Sequence, residues 1–271
     1  FNGKLSYQVE RGLDMAISEY APGRSIVVDK QIYQIGGFYY PGSERRKGQS
    51  LRPARAFVED PNYLKNILSC KDCGWFGVAE EFESGHTCPF CGGSSLEHDR
   101  QMLRPWGFAP RNARAIQNAQ LTEEYSYAQP PFYSTLPDAD EMQPIRYCKN
   151  IRMASRSNQR IMMLNRGPSD EGFMVCQDCG ASMPGNRSDV FQIKGKEVGR
   201  PYRSKFAQSQ CKHYNTINVN LGYDFITDML VLEFALDTQQ IDTYRADNWL
   251  NRAAQSLAEA LRLAASKELD V

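Results

Sequence analysis

The chain has 271 residues, of which 41% are hydrophobic and 24% are charged, and its 32 basic residues balance its 32 acidic ones. This length allows one large domain or two smaller ones with a real hydrophobic core. No apolar run approaches the roughly 18 residues needed to cross a bilayer, and the first residues lack the features of a signal peptide, so a soluble, cytoplasmic protein without membrane contact is expected.

In the first half of the chain, apolar residues at helical spacing predict a helix over residues 8–20, which ends before Pro22 and Gly23. The stretches SIVVD and QIYQIGGFYY predict two strands, because they are rich in Val, Ile, Tyr and Phe. The polar, basic loop GSERRKGQSLRPAR follows. Residues 70–93 contain two Cys-x-x-Cys pairs, and residues 94–144 contain several prolines and few periodic patterns.

In the second half, IMMLNRG predicts a strand with a turn, and GFMVCQDCG a strand that enters a second cysteine knuckle. The apolar residues between Phe225 and Leu236 are nearly continuous, which predicts a long, buried strand. Asp247 is a candidate N-cap for a final helix with a stripe of Leu and Ala: Leu250, Ala253, Ala254, Leu257, Leu261 and Ala264.

The expected fold class is α+β, with a mixed sheet, flanking helices, an inserted zinc ribbon and a second zinc knuckle. Residues 1–69 and 145–271 would be the two parts of the α+β domain, residues 70–93 the ribbon insertion, and residues 94–144 an irregular connection. The chain lacks an initiator Met and stops inside a helical pattern. A fragment of a longer protein is therefore expected.

The first pair of cysteine knuckles has the spacing of a zinc ribbon. Cys70-x2-Cys73 and Cys88-x2-Cys91 are separated by 14 residues, and two such turns on facing hairpins complete a tetrahedron of thiolates. Gly74 and Gly92 permit the positive φ that each knuckle requires. A disulfide framework fits poorly, because disulfide-dense proteins are usually small and secreted.

A second metal site is expected around Cys176-x2-Cys179-Gly180. Cys211 and His213 are the preferred partners, with Cys148 as an alternative to His213. Cys148 is otherwise a small buried hydrophobic residue. The sequence thus predicts two structural zinc ions.

Catalytic chemistry finds little support in this chain. A catalytic zinc usually keeps an open position with a proton-transfer group nearby, whereas the first site is closed by four cysteines and the histidines are only His86, His98 and His213. Phosphate-loop, dinucleotide-binding and serine-nucleophile motifs are absent from the sequence. The metals are therefore interpreted as braces, and whether the chain is itself an enzyme stays open.

Basic segments of the sequence suggest that the chain binds nucleic acid as well as metal ions. Residues 145–166 contain six basic residues and no acidic one, although a solvated loop is the simpler explanation of such a run. Basic side chains can neutralise phosphates, while exposed aromatic rings can stack on unpaired bases. The candidate nucleic-acid contacts are Arg45, Arg46, Lys47, Arg152, Arg156 and Arg160.

Four segments, in the same order, resemble the domain of unknown function 1998: residues 10–40 (ERGLDMAISEYAPGRSIVVDKQIYQIGGFYY), 172–180 (GFMVCQDCG), 225–234 (FITDMLVLEF) and 256–271 (SLAEALRLAASKELDV). That family is the zinc-binding C-terminal region of DEAD/DEAH-box helicases of the MrfA and Druantia types and of the DISARM protein DrmB. Its members often have a His between the second knuckle and the last Cys. None lies between Cys179 and Cys211 here, which leaves the fourth ligand open.

The resemblance implies a zinc-binding accessory region that works on DNA with an ATP-dependent helicase motor, in the same chain or on a partner subunit, in phage defence or DNA repair. A zinc-stabilised protein-interaction module that docks a partner subunit without touching DNA is the alternative. A zinc hydrolase with an open second site is a third hypothesis.

Overall fold

A computed structural model describes residues 9–39, 52–82, 87–116, 124–129, 131–133, 137–185, 210–236 and 247–269. Its helices are α1 (Leu13–Glu19), α2 (Arg55–Val58) and α3 (Asp247–Leu269). Its strands are β1 (Ser25–Val28), β2 (Gln31–Phe38), β3 (Leu64–Lys65), β4 (Ile67–Cys70), β5 (Phe76–Val78), β6 (Leu96–His98), β7 (Met102–Leu103), β8 (Phe108–Pro110), β9 (Phe132–Tyr133), β10 (Gln143–Ile145), β11 (Cys148–Asn165), β12 (Phe173–Cys176), β13 (Ser182–Pro184) and β14 (Thr216–Phe234). Several sheets and few helices confirm the predicted α+β class.

The chain divides into two compact units. Unit 1 consists of Phe1–Leu136 and Ser157–Asp228, and unit 2 of Pro137–Arg156 and Met229–Val271. Strands β11 and β14 each contribute residues to both units. Among the helices that the structure describes, none combines the length and the apolar character that a membrane span requires.

Unit 1 contains three groups of paired strands. β2 pairs with β1 and β8, and β4 pairs with β5 and β6. In the third group β12 lies between β13 and β14, while β7 pairs with β3 and runs parallel to β14. This parallel pair among antiparallel ones confirms the predicted mixed sheet. The short strands β6 to β9 lie in the segment for which the sequence predicted an irregular path.

The main core of unit 1 forms where these strands meet. Phe38, Phe173, Val175, Val219 and Leu221 pack together with at most 1% of their surface exposed. The predicted N-terminal helix is present but begins later, at Leu13, and buries Ala16 and Ile17. Burial of these aliphatic and aromatic side chains is the main stabilising contribution to unit 1.

Strand β2 reaches the second cysteine knuckle at a point where only glycine fits. Gly37 has a φ of +154°, and a Cβ atom there would lie 2.1 Å from the carbonyl oxygen of Gly180. The next residue, Phe38, donates its backbone N–H to that oxygen at 3.0 Å. The knuckle is therefore built into the core of unit 1.

Unit 2 contains β10 paired with the first half of β11, the end of β14, and helix α3. The backbone N–H of Ala235 donates to the carbonyl of Asn150 at 2.8 Å. The predicted final helix is confirmed, but its apolar stripe is uncovered among the described residues. Leu257 and Leu261 are 41% and 39% exposed.

The long apolar run in β14 is a strand, as predicted, but the expectation that it is buried is wrong. Its buried residues are Asp224 and residues 219–222, and the strand pairs with β12 and β7 in this region. Farther along, Ile226 and Leu230 are 58% and 61% exposed. A continuous apolar run does not show where the neighbouring strands that cover it end. The predicted buried stretch, from Phe225 to Leu236, therefore lies too close to the C-terminus.

Candidate metal centres and the predicted basic residues

The structure brings the four cysteines of residues 70–91 together. The Sγ atoms of Cys70 and Cys91 lie 3.8 Å apart, and those of Cys73 and Cys88 lie 3.7 Å apart. A tetrahedral zinc ion with Zn–S bonds of about 2.3 Å separates its sulfur ligands by about 3.8 Å. The cluster has the dimensions of a closed four-thiolate site and can hold one metal ion.

Each half of this cluster has the same backbone turn. Gly74 donates its N–H to the carbonyl of Cys70, and Gly92 donates to that of Cys88, both at 2.9 Å. The two glycines have φ values of +76° and +71°, as predicted for a conformation that side chains disfavour. The turns direct backbone N–H groups at sulfur, as Gly93 N–H shows at 3.4 Å from Cys91.

Local hydrogen bonds and burial give these thiols different pKa values. Burial would raise the pKa of Cys70, but the backbone N–H groups of Cys73 and Asp72 lower it overall. Burial and the neighbouring thiols raise the pKa of Cys73 to about 12. Four thiols this close do not all ionise without a cation, so metal binding releases protons.

Metal affinity should consequently fall as the pH is lowered. Protons compete with the metal for the thiolates, and a thiol with a raised pKa such as Cys73 holds its proton most strongly. Competition with a chromogenic chelator at about pH 6 and pH 8 measures this, and we expect at least a tenfold weaker apparent affinity at the lower pH. A pH-independent affinity would contradict thiolate ligation.

The second cluster gathers Cys176, Cys179, Cys211 and His213. His213 Nδ1 lies 3.5 Å from the sulfur of Cys176 and 3.7 Å from that of Cys211, and the sulfurs of Cys179 and Cys211 are 3.5 Å apart. Zinc bonds of about 2.3 Å to sulfur and about 2.0–2.1 Å to nitrogen place these two ligand types about 3.6 Å apart. Four donors are therefore present at a tetrahedral spacing.

The second cluster is more deeply buried than the first. Its three cysteines are at most 1% exposed and pack against Met174 and Ala181. The adjacent thiols of Cys176 and Cys211, and then burial, raise the pKa of Cys179 well above its usual range. Cys148, the alternative ligand, is on β11 and belongs to neither cluster that the described residues form.

Two of the predicted DNA-binding arginines are already paired with acceptors in unit 2. Arg152 contacts Glu233 at 3.2 Å and donates to the carbonyls of Ala139 and Met142. Arg156 forms two hydrogen bonds with Glu141, the shorter at 2.8 Å. These two arginines of the acid-free run are therefore neutralised by acidic residues outside the run. Arg45, Arg46 and Lys47 lie outside the described residues.

Arg160, in unit 1, belongs to a buried ion cluster. Its guanidinium contacts Asp224 and lies 2.7 Å from Glu81, while Lys65 Nζ lies 2.6 Å from the same Asp224 carboxylate. The side chain of Asp224 is 3% exposed. Burial opposes the charged form of Arg160, but the carboxylates of Glu81 and Asp224 raise its pKa overall. This geometry makes Arg160 a connection between β11, β14 and the middle of the ribbon segment.

Sequence reasoning missed two groups that support the ribbon. Trp75 is fully buried in it and packs edge-on against Phe82. Asp99 accepts a hydrogen bond from Ser69 at 2.7 Å and pairs with Arg166. Burial opposes ionisation of Asp99, but Ser69 and Arg166 lower its pKa overall. In the sequence, Trp75 directly follows the first Cys-x-x-Cys-Gly turn, and this position could have indicated a buried aromatic residue that supports the ribbon.

Comparisons with known proteins identify one curated relative. The chain is 31% identical over 284 aligned residues to the Druantia protein DruE of Escherichia coli (strain UMEA 4076-1). No family model and no solved structure matches the chain. The alignment covers 100% of this chain but 15% of the relative, so the chain spans about one seventh of the length of the protein it matches. Over its own whole length, the chain is thus similar to one region of Druantia protein DruE.

Proposed function

We propose that this chain is the zinc-binding accessory region of an ATP-dependent, helicase-type phage-defence protein of the cytoplasm, and that it contributes nucleic-acid binding. The similarity to Druantia protein DruE over the whole chain carries this proposal. It favours phage defence over DNA repair among the alternatives that the resemblance to the domain of unknown function 1998 left open. ATP hydrolysis would occur elsewhere in the same polypeptide or on a partner subunit.

The metal in both clusters is proposed to be zinc with a structural role. Thiolate-rich tetrahedral sites are typical of zinc, and the spacing of the ligand atoms in both clusters supports it. Each cluster supplies four donors, so neither needs a water molecule to complete a tetrahedron. This favours bracing over the zinc-hydrolase hypothesis.

Zinc analysis and DNA binding together test the proposal. We expect two zinc ions per chain and binding to DNA whose affinity falls steeply between about 50 and 200 mM salt. Mass spectrometry of the native protein and fluorescence anisotropy with labelled single-stranded and duplex DNA measure both. Two zinc ions without DNA binding at the lowest salt would favour the protein-interaction module instead.

The role of Arg152 and Arg156 has a direct test. If they also contact phosphates, Arg152→Ala with Arg156→Ala should weaken DNA binding and reduce the salt slope by about two, one per lost contact. Arg262→Ala is the matched control, because Arg262 is exposed and paired with Glu259 at 2.7 Å. Binding equal to that of the control would remove both arginines from the DNA-contacting set.

The protein-interaction module retains one observation in its favour. Helix α3 exposes an apolar stripe that includes Leu257 and Leu261, and the neighbouring Trp249 is 46% exposed. Apolar faces of this kind often mark docking sites. Co-purification of a partner that is lost in Leu257→Glu with Leu261→Glu, while DNA binding persists, would establish such a role for α3.

A further inference from the structure

Two neighbouring tyrosines in unit 1 are held outward by an anchored, extended segment, Glu124–Gln129. Tyr125 and Tyr127 are 56% and 66% exposed, whereas Ser126 between them is 5% exposed. This alternation is typical of an extended chain lying on a core. Large exposed rings on a fixed backbone are suited to binding a flat ligand.

Hydrogen bonds to buried or neighbouring groups fix this segment at three points. The buried amide of Asn165 donates to Ser126 Oγ at 3.1 Å and to the carbonyl of Ile17 at 2.8 Å. Ala128 N–H donates to Ser18 Oγ at 2.8 Å, and Gln129 N–H donates to the carbonyl of Leu164 at 2.7 Å. The backbone that carries the two rings is therefore preorganised, which reduces the entropy that a ligand must overcome.

A guanidinium completes the arrangement. The Cζ atom of Arg24 lies 4.4 Å from the centre of the Tyr125 ring and 5.6 Å from that of Tyr127. Its Nε and one terminal nitrogen are buried, and neither finds an acceptor among the residues that the structure describes. Unsatisfied buried donors are costly. Because both nitrogens are buried, Arg24 contributes its positive charge beside the two rings rather than hydrogen bonds to a ligand.

Arg24 and Tyr127 line a cleft of about 400 Å³ next to helix α1. Met15 and Met163 add apolar surface, while Asp14 and Glu19 add two carboxylates. Arg24 adds one positive charge to the cleft, and Arg11, 3.3 Å from Glu19, adds another beside it. The charges balance, so the cleft is unsuited to a phosphate and better suited to a neutral aromatic ring.

We propose that this cleft binds one unpaired nucleobase of a DNA strand, stacked on Tyr127 beside Arg24. The inference rests on the proposed nucleic-acid function and locates its single-strand contact on this aromatic ring. Stacking on aromatic side chains accepts any base, because every base has a π-face. Such a site prefers single-stranded DNA, since bases in a duplex are not available to the rings.

Anisotropy titrations of the zinc-loaded 271-residue chain with a labelled single strand and a matched duplex test this. Tyr127→Leu is expected to weaken single-strand binding about tenfold or more, with little change in duplex binding. The salt slope should stay the same, because no phosphate contact is lost. Tyr127→Phe keeps the ring and should retain most of the affinity.

Tyr147→Leu is the matched control. Tyr147 is 88% exposed and lies 5.4 Å from the guanidinium of Arg146, so it repeats the tyrosine–arginine pair without lining the Arg24 cleft. Single-strand binding by Tyr127→Leu equal to that of this control would overturn the base-stacking site while leaving the proposed function intact. Failure of the unmodified chain to bind any DNA at low salt would overturn both.

Discussion

Replacing Cys176 with serine is expected to remove one zinc ion per chain and to unfold most of unit 1. Cys176 is fully buried at the end of β12, a strand that pairs with β13 and β14. Structural zinc sites have apparent binding free energies of about 10–16 kcal/mol, which is comparable to or larger than the usual domain stability of about 5–15 kcal/mol. Loss of the site should therefore outweigh the remaining stability.

Metal content and thermal unfolding followed by circular dichroism measure this effect. Cys148→Ser is the matched control, because Cys148 is the cysteine outside both clusters. The control should keep two zinc ions and its unfolding temperature. If Cys148→Ser loses a zinc ion while His213→Ala does not, Cys148 rather than His213 is the fourth ligand.

Replacing Asp224 with alanine should lower the free energy of unfolding of unit 1 by about 3–5 kcal/mol, because it removes the buried carboxylate that Lys65 and Arg160 share. Lys65 and Arg160 both contact this carboxylate, and their side chains are 17% and 23% exposed. The partial exposure of these two cations places the expected value toward the lower end of the range.

Urea denaturation of the zinc-loaded protein quantifies the loss. Glu259→Ala serves as the control, since its pair with Arg262 is exposed on helix α3, and exposed pairs contribute little. A loss for Asp224→Ala no larger than that of the control would show that the buried ion cluster does not stabilise unit 1.

The metal clusters were predictable from the sequence because their geometry is local. A Cys-x-x-Cys-Gly turn fixes its own hydrogen bonds, and the three knuckles that end at Gly74, Gly92 and Gly180 repeat one pattern with φ values of +71° to +76°. The long strand β14 and the final helix were likewise predictable from their apolar runs. Those apolar runs do not show which other elements of the fold pack against them.

The electrostatic environment was not predictable in the same way. The acid-free run left open a solvated loop or a basic face, yet Arg152 and Arg160 pair with Glu233 and Glu81, about 80 residues away along the chain. Charge patterns along a sequence describe neighbours in the chain, whereas ion pairs depend on neighbours in space. The sequence did not predict the site at Tyr125 and Tyr127 for the same reason. Arg24 and the two tyrosines are about 100 residues apart in the sequence and come together only in the folded chain.

We propose that the chain is braced by zinc and binds DNA through contacts that include unpaired bases. The most direct test is the affinity of the zinc-loaded chain for a single strand and for the matched duplex, measured between about 50 and 200 mM salt. We predict tighter binding to the single strand, with affinity for both falling as salt rises. Equal affinity for the two forms would contradict the base contacts, and no binding at about 50 mM salt would contradict the nucleic-acid function itself.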